Sequence, residues 1–505
     1  MKPPKLREGV DEGGSTLPRE RMLSPDQYQV LSCFDEDARR AMEASARHAI
    51  AYRSGLAGAP AKPKKRPLEL NGLAELPLPE IGDDALSVIE SLVSEASDGL
   101  HARASPRFFG YVCGGSVPVG VAADFLVSAW GQVAASSWEC PSLALIEQTL
   151  CRWCLELLDL PRESGVGIVT GATVANTQAI ITARDALLAR LDWDVAKSGL
   201  FGAPPFPVLI GADAHSAPLA ALRYAGLGTD RVVRLATDDQ GRVHLNGLME
   251  ALARCEHAPL VVLQAGQINT GAFDQFEEAI PLVHERGGWV HVDGAFGLWL
   301  HAVPELRGRL AGVDAADSWA VDLHKWLNAP YDSGLCIVRE RAALVQSMSA
   351  RGAYLPEVGE SWDPSDSTLE LSRRARGIPS YAILKYLGAA GVRAMIARHC
   401  ALSVYLAELL SAEPGIEILN DVVSNQLAIA CQDDDATTKV LERVQANAKV
   451  YPSHGVWRGR RIIRVSIINY ATDRAAIDML ADEILTAHRE IASGSDPLSR
   501  SAVNR

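Results

Sequence analysis

The 505-residue chain has no excess of basic side chains: 49 Lys and Arg face 62 Asp and Glu, a formal charge of −13. That balance excludes general nucleic-acid binding, which needs a basic face. No apolar run approaches the ~18 residues of a membrane span. The opening stretch, MKPPKLREGVDEGGSTLPRE, has no apolar core and does not read as a secretory signal. Internal repeats and low-complexity tracts are missing. So are a G-x-x-x-x-G-K-[ST] loop and a G-x-G-x-x-G after a strand, which leaves nucleotide and nicotinamide sites unsupported. Cysteine is sparse and odd in number, nine in all. Reduced thiols and a cytoplasmic location are therefore expected. Cys151 and Cys154 form a C-x-x-C inside the amphipathic run LALIEQTLCRWCLELLDL, with no second Cys/His pair at zinc spacing. A half-buried helix is expected there, and no metal site.

What is present is apolar bulk, 48% of residues. It is enough for two or three packed domains at this length. Residues 1–105 read as a polar N-terminal segment followed by two helices, near Asp35–Arg53 and Asp83–Ala102. A Pro-rich connector joins the two helices; its PKKRP reads as an exposed linker rather than an import signal. Residues 106–378 read as a large α/β domain. Seven short apolar runs (GVGIVT, PFPVLIGA, RVVRLA, LVVLQAG, WVHVDG, SWAVDL, GLCIVR) alternate with helical stretches. Such alternation predicts a mostly parallel sheet covered on both faces. Residues 379–505 read as a small α+β domain. It opens on a helix over about 379–389, has strands near 416–419, 425–431 and 461–468, and closes on a helix over 473–491.

The candidate chemistry gathers at the predicted strand ends, where ligands of open α/β sheets bind. Asp293 closes the run WVHVDG. Lys325 follows His324 in the dense stretch HKWLNAPY, one parallel crossover later. His215 follows PFPVLIGADA. In VTGATVANTQAI, a Gly-small-Thr turn opens a helix whose N–H groups and Thr173 hydroxyl suit a phosphate. Each feature alone has an ordinary structural use: a snorkelling lysine, a turn-capping aspartate, a loop histidine, a helix N-cap. Together they point to pyridoxal phosphate. A desolvated lysine attacks its aldehyde, and a carboxylate keeps its ring nitrogen protonated.

The motifs TGATVAN, DAHSA, HVDGAFG, ADSWAVDLHKW, YDSG, AYLP and SRRAR together resemble the group II pyridoxal-phosphate-dependent amino acid decarboxylases. This is the family of aromatic amino acid and glutamate decarboxylases. The resemblance runs over about residues 85–490 and looks nearest a less characterised microbial branch. It implies fold type I: a large, mostly parallel seven-stranded sheet domain, a small C-terminal α+β domain and an N-terminal helical segment. It also implies roles. Lys325 would be the Schiff-base lysine, Asp293 the partner of the pyridinium nitrogen, and His215 the residue stacked on the ring. Ala172 and Thr173 would hold the phosphate, helped by Ser318 and His324. Tyr354 would be a loop tyrosine that reprotonates Cα, closing over a neighbouring subunit's site, hence a homodimer. Phe109 and Tyr111 resemble substrate-pocket residues, and Trp299 hints at an apolar or aromatic substrate.

The chain departs from the family pattern at several points. Asp322-Leu323 stands for the usual Asn-Pro, and Gly266-Gln267-Ile268 for Gly-Thr-Thr. Gly294, Ala295, Phe296 and Trp299 follow the aspartate. No basic clamp for a second carboxylate is evident. The expected activity is release of carbon dioxide and an amine from an L-amino acid. The alternatives on the same machinery are an aldehyde synthase, an aminotransferase or an aldolase. A further alternative is a non-enzymatic binding protein that kept the fold.

Overall fold

The structure, a computed structural model, describes residues 34–349 and 363–494. These fall into two compact units. One comprises the described part of Met1–Tyr52 together with Asn71–Ser97; the other comprises Arg53–Leu70 and everything described from Asp98 onward. The first unit holds most of helix α1 (Glu36–Gly55) and all of α2 (Ala85–Ser97). Here the His48 ring of α1 meets the Glu90 carboxylate of α2 at 2.8 Å.

The second unit is built around a seven-stranded sheet. Two helices precede it: α3 (Pro118–Trp130), stopped by Gly131 in the left-handed region, and α4 (Pro141–Leu157). Both start with proline at the first turn, where its missing N–H costs nothing. Then β1 (Gly165–Val169), α5 (Ala172–Ala189), α6 (Val195–Ser198), β2 (Val208–Gly211), α7 (Ser216–Tyr224) and β3 (Val232–Leu235) alternate. They are followed by α8 (Leu245–Ala253), β4 (Leu260–Gln264), α9 (Phe276–His284), β5 (Trp289–Asp293), β6 (Ser318–Asp322), β7 (Gly334–Val338) and α10 (Arg341–Met348). The seven apolar runs are the seven strands. Their order is β1-β7-β6-β5-β4-β2-β3; pairs from β6 through β3 are parallel, and β7 runs antiparallel to β1 and β6. This is the fold-type I α/β arrangement expected. Every strand but β3 is buried at each of its residues because helices cover both faces, and that is why they read as unbroken apolar runs.

The C-terminal part adds α11 (Gly377–Ser411), β8 (Glu417–Ile418), β9 (Gln426–Ala430), α12 (Asp434–Asn447), β10 (Ser453–Trp457), β11 (Arg460–Ser466) and α13 (Arg474–Ala492). Asp433 and Asp473 cap α12 and α13, each accepting a backbone N–H at 2.8 and 2.9 Å. The sequence pattern ends the first of these helices near Ala389. In the structure α11 runs on to Ser411 across a kink at Gly388, whose φ of 63° only glycine adopts freely. Strand β10 leaves no mark in the hydropathy pattern, since its residues SHGVW alternate in burial and lack an apolar run.

Three tryptophans, Trp299, Trp319 and Trp326, are fully buried in the main core. Each indole N–H has a partner: Asp322 O at 2.9 Å, Val313 O at 2.9 Å and His399 Nδ1 at 3.0 Å. Cys151 and Cys154 lie buried and free on α4, as the helical reading of C-x-x-C requires. Among the described residues no helix is long and apolar enough to cross a membrane, and no cluster of three metal-ligating side chains occurs.

Candidate active site

A cavity of ≈ 290 Å³ opens beyond the carboxyl ends of β2, β4, β5 and β6. Asp293 and Lys325 both line it. Their strands are parallel neighbours, β5 beside β6, so the carboxylate ends one strand and the lysine lies one turn past the end of the next. His215 caps α7, its Nδ1 accepting the Ala217 N–H at 3.2 Å, and stands in the open cavity wall. Gly171, Ala172 and Thr173 bring the N-terminus of the 18-residue α5 to the opposite side.

Electrostatics follow from burial. Asp293 is 6% exposed, and loss of solvation raises its pKa, against the pull of His215 and Lys325. It accepts the Ala295 N–H at 3.2 Å. Among the described residues no side-chain cation lies within ion-pair distance of it. His215 is exposed to the open cavity, yet partial loss of solvation lowers its pKa, Lys325 and Arg464 adding to the effect and Asp293 opposing it. His324 is likewise lowered by burial. Its Nδ1 accepts the Ser333 N–H at 3.2 Å, and its ring stacks on Tyr331 at 4.3 Å.

The residues present fit pyridoxal phosphate. Asp293 is a buried acid still lacking a cation, which a protonated ring nitrogen would supply. Gly171 must have no side chain: a Cβ there would come within 2.8 Å of His324 and 3.0 Å of Asp322. Beyond the Ala172 N–H, which Asp322 accepts, the Thr173 and Val174 amides lie in the first turn, where helical N–H groups have no intrahelical partner. Gly114 is constrained from the other side, since its Cβ would meet the Lys325 carbonyl at 2.4 Å. The aromatic, Gly-rich segment of residues 106–120 therefore packs directly under the lysine turn.

Not every candidate residue reaches the cavity. Ser318 starts β6, at the far end of the strand from Asp322. Its hydroxyl is taken by Trp289 Nε1 and His291 Nδ1, both at 2.9 Å, so direct contact with a phosphate at α5 is not made. Trp299 is core, behind the lysine turn. Phe109 is 1% exposed and belongs to the core of the C-terminal sheet. Tyr111, with φ of 58°, is 40% exposed and near Arg464. Tyr354 lies outside the described residues. The apolar wall is instead Val112, Ile268 and Phe296.

Two further polar residues receive no role from the sequence. Asp322 places both carboxylate oxygens in the site. Arg464, on β11, acts electrostatically on His215, Tyr111 and Cys113. Its Nε is buried without a hydrogen-bond partner, and no carboxylate pairs with it among the described residues. The stretch IIRVS carried the signal for Arg464, an arginine set between buried aliphatics on a strand.

The rat aromatic-L-amino-acid decarboxylase is 24% identical over 463 residues, covering 87% of this chain and 96% of the relative. The 3,4-dihydroxyphenylacetaldehyde synthase of Aedes aegypti is 26% identical, with 86% and 85% covered. The crystal structure of Oryza sativa TDC with PLP and tryptamine superposes with a TM-score of 0.85 at 22% identity, over 91% of this chain and 99% of that one, a likeness of fold. The model of the pyridoxal-dependent decarboxylase conserved domain matches residues 67–430. With that match, and a site whose side chains fit the cofactor, the chain belongs to the pyridoxal-dependent decarboxylases and is a pyridoxal-phosphate-dependent enzyme.

Proposed function

We propose that the enzyme removes carbon dioxide from an L-amino acid with an apolar or aromatic side chain and releases the amine. The observation that carries this is the meeting of Lys325 and Asp293 in one cavity from adjacent strand ends. Bound pyridoxal phosphate supplies an electron sink for the bond broken at Cα. Lys325 would hold the cofactor through its Nζ, the place a substrate amine would take in turn. Asp293 would keep the ring nitrogen protonated, and His215 would cover the ring. The first amides of α5, with Thr173 and His324, hold the phosphate. Arg464 draws in the substrate carboxylate, while Val112, Ile268 and Phe296 receive its side chain. Tyr354 returns a proton to Cα. The names of the rat and mosquito relatives support an aromatic substrate.

A homodimer belongs to the same reading. Phe125, Leu126 and Trp130 on α3, Trp138 after it and Leu145 on α4 are all more than a third exposed. So large an apolar surface on one stretch of chain is characteristic of an interface.

The test is a panel of L-amino acids given to the holoenzyme, with carbon dioxide, amine and oxygen followed together. Carbon dioxide and amine in equal amounts, without added 2-oxo acid, are expected from an aromatic member. Carbon dioxide with aldehyde and oxygen uptake favours the second reading, an aldehyde synthase, to which the mosquito relative lends support. No carbon dioxide from any member overturns both. Tyr354→Phe is expected to lower amine output; normal output removes that residue from the mechanism.

A further inference from the structure

Asp322 ends β6 and is 2% exposed. One carboxylate oxygen, Oδ1, accepts the Ala172 N–H at 2.5 Å, the first amide of α5. The other, Oδ2, lies 2.7 Å from Lys325 Nζ. His324 Nε2 stands 3.4 Å from Oδ1. The remaining ionisable groups that feel its charge are Asp293 from β5, His215 before α7 and Tyr331 beyond the lysine turn. One buried anion thus occupies both the positive end of a long helix and the lysine ammonium.

The helix end is the positive feature that a phosphate entering this end of the cavity would use, and the lysine is the group that the cofactor's aldehyde would meet. A second anion beside Asp322 must compete for the same donors and is repelled by the carboxylate. An ammonium paired at 2.7 Å is also not a nucleophile, because attack on an aldehyde requires the neutral amine. We propose that Asp322 is a positioning residue that holds Lys325 in reserve as its ammonium and keeps cofactor loading reversible. It gives up the Ala172 N–H when phosphate enters and takes back Lys325 when the cofactor leaves. This rests on the site assignment made under the proposed function.

The experiment uses the full-length chain stripped of cofactor and compares it with Asp322→Asn. Asparagine keeps the shape and an oxygen for Ala172 but carries no charge. Calorimetry measures inorganic phosphate binding, and visible absorbance measures pyridoxal phosphate uptake. Both affinities are expected to tighten about tenfold in Asp322→Asn. Unchanged or weaker binding of both overturns the role of Asp322. Lys325→Ala is the control on the underlying site. If it keeps the visible band of the attached cofactor, the site assignment itself fails; if it loses the band while Asp322→Asn binds phosphate no more tightly, only the role of Asp322 fails. Should Asp322→Asn not fold, Asp322→Ser removes the same charge and is read the same way.

Discussion

Arg464 is half-buried, and its buried Nε makes no hydrogen bond. Its backbone is committed to the sheet between β9 and β10, and its side chain is free of any carboxylate among the described residues. Burial pushes its pKa below the ordinary value. An arginine in that state is stabilised by an anion it does not yet have, and an amino acid carboxylate is the anion this enzyme meets. Arg464→Leu is expected to lower kcat/KM about 100-fold, mainly through KM, and to leave the cofactor's absorbance unchanged. Arg464→Lys should recover little, because an ammonium cannot present two parallel N–H groups to a carboxylate. Steady-state kinetics with the best substrate of the panel decides it, and an unchanged kcat/KM removes Arg464 from substrate binding.

At the scale of elements, SRRAR is a set of three clamps. Arg373 makes a bidentate pair with Glu147 of α4, at 3.1 and 2.6 Å, and both side chains are at most 1% exposed. Glu147 also accepts the Gly377 N–H at 3.3 Å, at the start of α11. Arg374 reaches Asp124 of α3 at 2.7 Å, and Arg376 reaches Asp332 at 3.3 Å in the turn beyond Lys325. The motif thus ties α3, α4 and the lysine turn to the chain entering α11. Arg373→Met leaves Glu147 buried and unpaired, and should cost about 3–5 kcal/mol of stability. The double variant Glu147→Leu with Arg373→Met should regain much of it, because no charge then stays buried. Denaturant unfolding of the three proteins measures both effects. Equal stability of the single and double variants would show that the charge is not the cause.

For the molecule as a whole, buried histidines set the response to acid. His291 and His399 are fully buried, and their pKa values are driven down from 6.5 to about 3 by burial. Both depend on the neutral ring. His291 joins Ser318 to Asn176, and His399 accepts from Trp326 while its other nitrogen meets Asn469 O at 2.9 Å. The unfolded chain protonates them below 6.5 and the folded chain does not, so their contribution is complete above 6.5 and is lost as pH falls toward 3. Each removes about 1.4 kcal/mol per pH unit in that window. Asp274 opposes them. Burial raises its pKa from 3.8 to about 6, so its contribution is complete below 3.8 and is lost as pH rises through 6. Two histidines outweigh one aspartate, so stability should fall as the pH drops from about 6 to about 4. His399→Gln, which can still accept from Trp326 and donate to Asn469, should flatten that slope by the share of one histidine. Thermal melts across this range test it, and an identical slope in the variant would clear His399 of the effect.

The sequence by itself determined the seven strands, the fold class and the cofactor. Long-buried parallel strands must be apolar throughout, and their ends must carry the few polar residues the chemistry uses, so both are written locally. Lys325, Asp293, His215 and the α5 turn are legible for that reason. Ser318, Phe109 and Trp299 are not cavity residues, because adjacency in a motif does not say which end of a strand, or which side of a core, a side chain occupies. Tertiary structure alone decided that Asp322 spans a helix end and a lysine 150 and 3 residues away in sequence. It alone brought Arg464, from the last strand, to bear on a site built by the first sheet. The contacts to Ala172 and from Arg464 join residues far apart along the chain, so they leave no periodic trace: the first is set by how α5 packs on its sheet and the second by how the two sheets pack.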